Sequence, residues 1–195
     1  MLVALVGCSD KKSKTTDPPA PPFPITLTEA GLGSIGATTP AKPEAIGPLL
    51  PAGLETRSEY APGLGSDSGF AADVNIYAGK ELVAIIIAGD DGNAYAMRII
   101  SPRIVSDRGW RTGTTLSDPS IVKVCHCIGD GLVCSHATTS HVGIILDVDC
   151  QGALMDGSAS EIDRFRKMGK GDETAIATLR GRKVRMLNWD RDLER

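Results

Sequence analysis

The sequence predicts an α+β domain, built on predominantly antiparallel sheet with a few short helices. Three observations point there. Short apolar runs rich in Val and Ile recur between Gly and Pro punctuation, which is strand spacing. Two of these runs are joined by the turn Gly89-Asp90-Asp91-Gly92, a hairpin connection. Helical capping signals appear at only a few places, and the stretches behind them are short.

Taken in order, residues 30–40 are rich in turn residues and end with Thr39 as an N-cap and Pro40 at the first helical position, so a short helix is expected there, stopping near Gly47 and Pro48. Residues 51–72 are loop by composition. Strands follow at 74–77, 82–88 and 94–101, the second apolar on both faces and therefore expected at the sheet centre. A second set is expected at 121–127, 132–136 and 141–149. Helices are then predicted over 161–168, closed by Gly169, and over 172–180, stopped by Gly181, before a terminal strand at 183–189. The segments 33–39 (GSIGATT) and 109–115 (GWRTGTT) are faintly alike and each precedes a short helix and then strands, so the domain reads as two weakly similar halves.

Composition narrows the function. The chain carries 24 acidic and 21 basic groups, a formal net charge of −3, so no general positive field exists to grip nucleic acid. Aromatic residues are only 4%, which removes the stacking platforms of single-strand binders. The longest apolar run, 82–88, is far below the roughly 20 residues of a spanning helix.

The N-terminus carries the clearest address. Leu5-Val6-Gly7-Cys8 fits a bacterial lipobox, in which the Cys8 thiol is acylated and becomes the mature first residue. No Lys or Arg precedes Cys8 and the apolar stretch is short for an export signal, a shortfall that a start codon further upstream would repair. Residues 1–8 are thus read as a truncated lipoprotein signal. Residues 9–24, SDKKSKTTDPPAPPFP, are too polar and proline-rich to bury a core, and read as a disordered tether. In polyproline II those 16 residues would reach roughly 50 Å. The remaining domain, 25–195, has a net charge of −4 and would be held off an anionic lipid surface.

With Cys8 assigned to lipid, Cys125, Cys127, Cys134 and Cys150 remain, an even number that an oxidising compartment pairs into two disulfides. A turn at Gly129-Asp130 sets Cys125 opposite Cys134. A turn at Asp130-Gly131 sets Cys127 there instead, with better turn chemistry but poorer bridging geometry. The reading favours Cys125–Cys134 with Cys127–Cys150. His126, His136 and His141 share this window, which invites a metal, yet the Cys-His-Cys start has no zinc-ribbon spacing, and in a strand His126 points away from its neighbouring cysteines. Asp147 and Asp149 with Gly152 mimic the start of a calcium loop, but position twelve is Ser158 where the closing Glu belongs. A Cys125/Cys127 redox pair lacks a recognisable positive neighbour.

Other motifs resolve to structure. Gly31, Gly33 and Gly36 match a dinucleotide fingerprint, but Pro40, Pro43 and Pro48 break the helix that should receive phosphates. Asp67-Ser68-Gly69 resembles a protease nucleophile, but no histidine precedes His126. The basic residues Arg180, Arg182, Lys183 and Arg185 read as a solvated face.

The order and spacing of several segments carry a family resemblance. They are Thr28 to Gly33 with Ala37 to Pro40, Gly89 to Gly92, Gly109 to Asp118, Cys134, Thr139 to His141, and a last apolar strand ending in Trp189. Together they resemble the YfeY-like, RpoE-regulated lipoproteins of the Gram-negative envelope. The resemblance implies a lipid-anchored, periplasm-facing protein of the outer membrane, connected with envelope stress. It assigns no catalytic residues and no cofactor. The expected role is a non-catalytic interaction with another envelope component, the alternative being metal binding or thiol redox chemistry through residues 125–150. The added cysteines, Cys125 or Cys127 and Cys150, and the charged stretch at 156–172 depart from the family pattern.

Overall fold

A computed structural model describes residues 21–57, 74–128, 131–138, 141–155 and 158–193. The chain forms β1 (Thr26–Thr28), β2 (Gly31–Leu32), α1 (Pro43–Ile46), β3 (Glu55–Arg57), β4 (Val74–Ala78), β5 (Glu81–Ala88), β6 (Ala94–Ile99) and β7 (Val105–Ser106). There follow β8 (Val122–Ile128), β9 (Gly131–His136), β10 (Val142–Leu146), α2 (Cys150–Met155), α3 (Ala159–Met168), α4 (Glu173–Ala177) and β11 (Val184–Asp190). This is the predicted class: mostly antiparallel sheet with few, short helices.

Among the described residues, eight strands make one sheet in the order β3-β4-β5-β6-β11-β10-β9-β8, antiparallel at every pairing. It consists of two four-stranded halves joined where β6 meets β11. The expected pair of halves is therefore visible in the topology. Segments 39–41 and 114–116 play matching parts, the first bonding to residues 92–94 ahead of β6 and the second to residues 182–184 ahead of β11. A small sheet, β2-β1-β7, caps one end, with β1 antiparallel to β2 and parallel to β7.

Register explains the core. Directly opposed residues project to one face, so Ile76, Ala84, Ile99, Leu187, Ile144, Cys134 and Cys125 form one row across seven strands. All seven are fully buried. The parallel row Val74, Ile86, Met97, Trp189 and Val142 is also buried. Helices α2 to α4 cover the β8 end of this face, sending Phe165, Met168 and Ile176 into the core. Leu27, Leu32 and Ile35 of the end cap complete it.

One residue along each strand, the opposite face carries the row Asn75, Ile85, Arg98, Asn188, Gly143 and Ser135. Beside it lies a small apolar cluster of Val133, Ile145 and Met186, joined by Ile100 and Leu193.

Several boundaries differ from expectation for identifiable reasons. The first helix begins at Pro43, not Pro40, because Thr39 O accepts from Ala94 N and the Ala41 amide donates to Gly92 O, so residues 39–41 serve as a strand bridge. Short β3 falls within the predicted loop, where three residues give too little pattern to read. The strand starting near His141 ends at Leu146, and residues 150–155 turn into α2 instead of continuing the loop. Strand β5 lies inside the sheet, but its middle is the β6–β11 pair, formed by the last strand in the chain order.

Candidate functional site

The cysteines lie where one hairpin register puts them. Ile128 opposes Gly131, which leaves positions 129 and 130 as the connection and sets Cys125 directly opposite Cys134, with their Cα atoms 4.0 Å apart. Cys127 reaches Cys150 at the start of α2, with Cα atoms 5.7 Å apart. Both pairs sit at bonding distance, the first in the core row and the second tying the edge strand β8 to the helical layer. Positions 129 and 130 themselves lie outside the described residues, as do Cys8, residues 9–20 of the tether and Asp67-Ser68-Gly69.

The three histidines separate. His126 is exposed on edge strand β8, and its ring lies against Gly169 at the end of α3. His136 and His141 flank the β9–β10 connection at the other end. The His136 ring is 4.8 Å from that of Trp110, and its Nδ1 accepts from the Thr138 amide at 3.0 Å. That bond fixes the neutral form with the proton on Nε2. Burial and the charge of Arg108 hold its pKa below the usual histidine range, against smaller upward pulls from Asp107 and Glu29.

His141 is held by backbone and carboxylate. Its amide donates to Glu29 Oε1 at 3.0 Å, and its Nδ1 donates to Asp190 O at 3.1 Å. The Trp189 indole donates to Glu29 O at 2.9 Å, so Glu29 locks the end cap onto β10 and β11. Glu29 and Trp110 were not singled out from the sequence as site residues. Their signal was the position of Glu29, and of loop 109–115, inside segments whose order is shared with the YfeY-like pattern.

Asp149 of the calcium-like motif has another task. Asp149 Oδ1 accepts from Gly152 N at 2.8 Å, capping the first turn of α2. Asp147 is exposed at the end of β10. Among the described residues no group of three or more His, Cys, Asp or Glu side chains converges to hold a metal. Gly31, Gly33 and Gly36 belong to a tight turn: Leu32 and Ile35 exchange backbone bonds, and a Cβ at Gly31 would lie 1.9 Å from Ile35 O. Of the basic run, Arg180, Arg182 and Lys183 are exposed, and Arg180 donates to Ser117 O. No helix of the described residues is long and apolar enough to cross a membrane.

Two surface features remain. A shallow cleft of about 380 Å³ lies between the end cap and residues 49–51, which follow α1, lined by Ile25, Thr28, Gly33, Leu49 and Leu50 among others, without charged groups. The loop 107–115 lies beside His136, with Arg108 and Arg111 exposed on either side of the half-buried Trp110.

Comparison with known proteins bears on the architecture. No family model matches the chain, and no curated protein matches it. Among solved structures, the crystal structure of the uncharacterized protein yfeY from Escherichia coli is similar at a TM-score of 0.54 and 21% identity, over 85% of this chain and 99% of that one. The chain shares the YfeY fold, the fold of the family its sequence resembles.

Proposed function

We propose that this protein is an envelope lipoprotein, acylated at Cys8, tethered by residues 9–24 to the periplasmic side of the outer membrane, and acting by binding another envelope component. The observation that carries the reading is the state of the cysteines: the four that follow Cys8 fall into two pairs at bonding distance, the arrangement of a chain that folds where thiols are oxidised. The lipobox supplies the route to that compartment, and the shared fold with yfeY is compatible with it.

The surface best suited to a partner is the loop 107–115. Trp and Arg are the residues that most often anchor interfaces, and here Trp110 is flanked by exposed Arg108 and Arg111. Trp110→Ala should therefore reduce crosslinking to the partner while leaving the far side of the sheet folded.

Mass spectrometry of the native N-terminus, with free-thiol counting and metal analysis on the same material, tests the reading. It predicts an acylated Cys8, no free thiol among the four remaining cysteines and no stoichiometric metal. Unacylated cytosolic protein with reduced sulfurs would overturn it, and bound zinc or calcium would favour the metal alternative.

A further inference from the structure

The fold gathers cations at one end of the sheet. Residues 113–116 run antiparallel to residues 181–184: Gly113 N donates to Val184 O, Val184 N to Thr114 O, Leu116 N to Arg182 O and Gly181 N to Leu116 O. Thr115 and Lys183 are directly opposed in this short ladder. It holds Arg182 and Lys183 on a fixed backbone just ahead of β11, and both side chains are exposed without an ion pair among the described residues. Arg180 is kept beside them by its bond to Ser117 O at 2.8 Å. Exposed Arg111 stands at the turn that opens the paired segment, its carbonyl accepting from Thr114 Oγ1 at 2.7 Å. The acidic groups on these segments and their bonded neighbours are Asp118, whose carboxylate is taken up by the Ser120 amide and hydroxyl, and Asp147, whose amide donates to Lys183 O. Cations thus outnumber anions here, in a domain that is acidic as a whole.

The chain leading from Cys8 joins the domain at the same end. Phe23 N donates to Arg103 O at 3.0 Å and Arg103 Nε donates to Pro21 O at 2.9 Å, with the guanidinium 3.7 Å from the centre of the Phe23 ring. Arg103 lies just beyond Ile99, the last residue of β6. The Ile99 carbonyl accepts from Thr112 Oγ1 at 3.0 Å, and Ile99 opposes Leu187 near the start of β11. The entry of the chain and the cation ladder are therefore both at the end of the β6–β11 pair where β6 finishes and β11 begins.

We propose that this end is a docking surface for an anionic phospholipid bilayer, with Arg182 and Lys183 as its main contacts; that the bilayer is the one anchoring the chain rests on the reading of Cys8 as acylated. Each Lys or Arg held close to an anionic surface strengthens binding by roughly fivefold. A net charge of −4 predicts repulsion only if the charge is spread evenly, and here it is not. At physiological ionic strength charges are screened beyond about 8 Å, so a surface brought against this end meets the ladder and little of the acidic remainder. Lipid is favoured over an acidic protein on two grounds. A chain held by its N-terminal segment brings this end to the membrane first, and the exposed side chains of 111–118 and 180–183 include no large apolar group of the kind a protein interface buries.

Co-sedimentation with vesicles tests the proposal, using the full chain with Cys8→Ser so that no acyl group contributes. Vesicles containing phosphatidylglycerol should bind at least about tenfold more strongly than phosphatidylcholine alone, with the difference lost at high salt. Arg182→Gln combined with Lys183→Gln should weaken that binding by about tenfold or more. Both positions lie outside loop 107–115, so the Trp110 surface is left as it is, and circular dichroism checks the fold. Lys11→Gln, Lys12→Gln and Lys14→Gln together should have the smaller effect. If the Arg182/Lys183 variant does not fold, Lys183→Glu alone and the salt and lipid series decide. No preference for phosphatidylglycerol, undiminished binding by the Arg182/Lys183 variant, or loss only with the Lys11, Lys12 and Lys14 changes would overturn the proposal. So would displacement by inorganic phosphate at constant ionic strength, which marks a site for the free anion, or capture of poly-L-glutamate without vesicle binding, which assigns this end to an acidic polypeptide. An unacylated native Cys8 would instead sink the anchoring reading and leave the vesicle result standing.

Discussion

Along Ile76, Ala84, Ile99, Leu187, Ile144, Cys134 and Cys125, every side chain is apolar or sulfur-bearing and fully buried, whereas one residue further on each strand brings Asn75, Arg98, Asn188 and Ser135 to the other side of the same sheet. The two faces share backbone hydrogen bonds and strand order, so their difference isolates what side chains contribute. The first face stabilises the fold by removing hydrocarbon from water. The second adds only a smaller apolar cluster around Val133, Ile145 and Met186, and places specific polar atoms at fixed points. It also guards register: a slip of one residue between β6 and β11 would push Arg98 or Asn188 into the apolar layer.

Substitutions sharpen this contrast. The largest loss is expected for Trp189→Ala on the first face, about 3–5 kcal/mol from lost apolar burial and the cavity together, read by chemical denaturation. Cys134→Ser should cost about 2–5 kcal/mol, the range for removing a native bridge, and the loss should disappear when wild type and variant are compared under reducing conditions. An unchanged melting temperature would mean that this pair does not brace the core.

On the second face the effects should be smaller and partly reversed in sign. Gly143→Ala is expected to destabilise by about 1–3 kcal/mol, because the new methyl would lie 2.4 Å from Cys134 O and against Leu193, and β9 or β10 must shift. Asn188→Leu should instead leave the protein as stable as wild type or raise its stability by about 1 kcal/mol, since a buried amide without a partner among the described residues gives way to hydrocarbon of similar size. A loss as large as that at Trp189 would erase the distinction between the faces.

The smallest effect is a pH dependence. Burial raises the Asp190 carboxyl above its usual value, ahead of the opposing pull of the Asp192 amide and Arg98. The native state therefore holds this proton more tightly than the unfolded chain, and wild-type stability falls as pH rises from about 4 through the native pKa. Asp190→Asn removes that slope. Thermal melts across pH should show the variant gaining on wild type at neutral pH and the difference closing below about pH 4. A gap that widened on acidification would reverse the sign assigned to this carboxyl.

Strands with sustained apolar character were legible in the sequence: 82–88 and 94–101 mark β5 and β6 to within two residues, and the capping residue Asp172 and stop Gly169 lie where the helices require them. Where one local signal served two structures, the reading misplaced an element. Thr39-Pro40 is a good helix start, yet its backbone bonds to residues 92–94 across the chain. Asp147 and Asp149 fit an ion loop as well as a helix cap, and only the Gly152 amide decides. The polar row was illegible for a different reason. Arg98 and Asn188 are polar residues in largely apolar strands, which in an open sheet are ordinary solvent-facing positions. That they oppose one another follows from the β6–β11 pairing, a contact between residues about ninety positions apart that no local pattern encodes.

That pairing has a temporal side. Strand β11 is hydrogen-bonded on one flank to β6 and on the other to β10, so until residues 184–190 arrive each half-sheet carries a raw edge, open to any extended polypeptide nearby. A chain threaded N-terminus first through a translocation channel would deliver its keystone late, and everything emerging before it would have to be shielded from misjoining in the meantime.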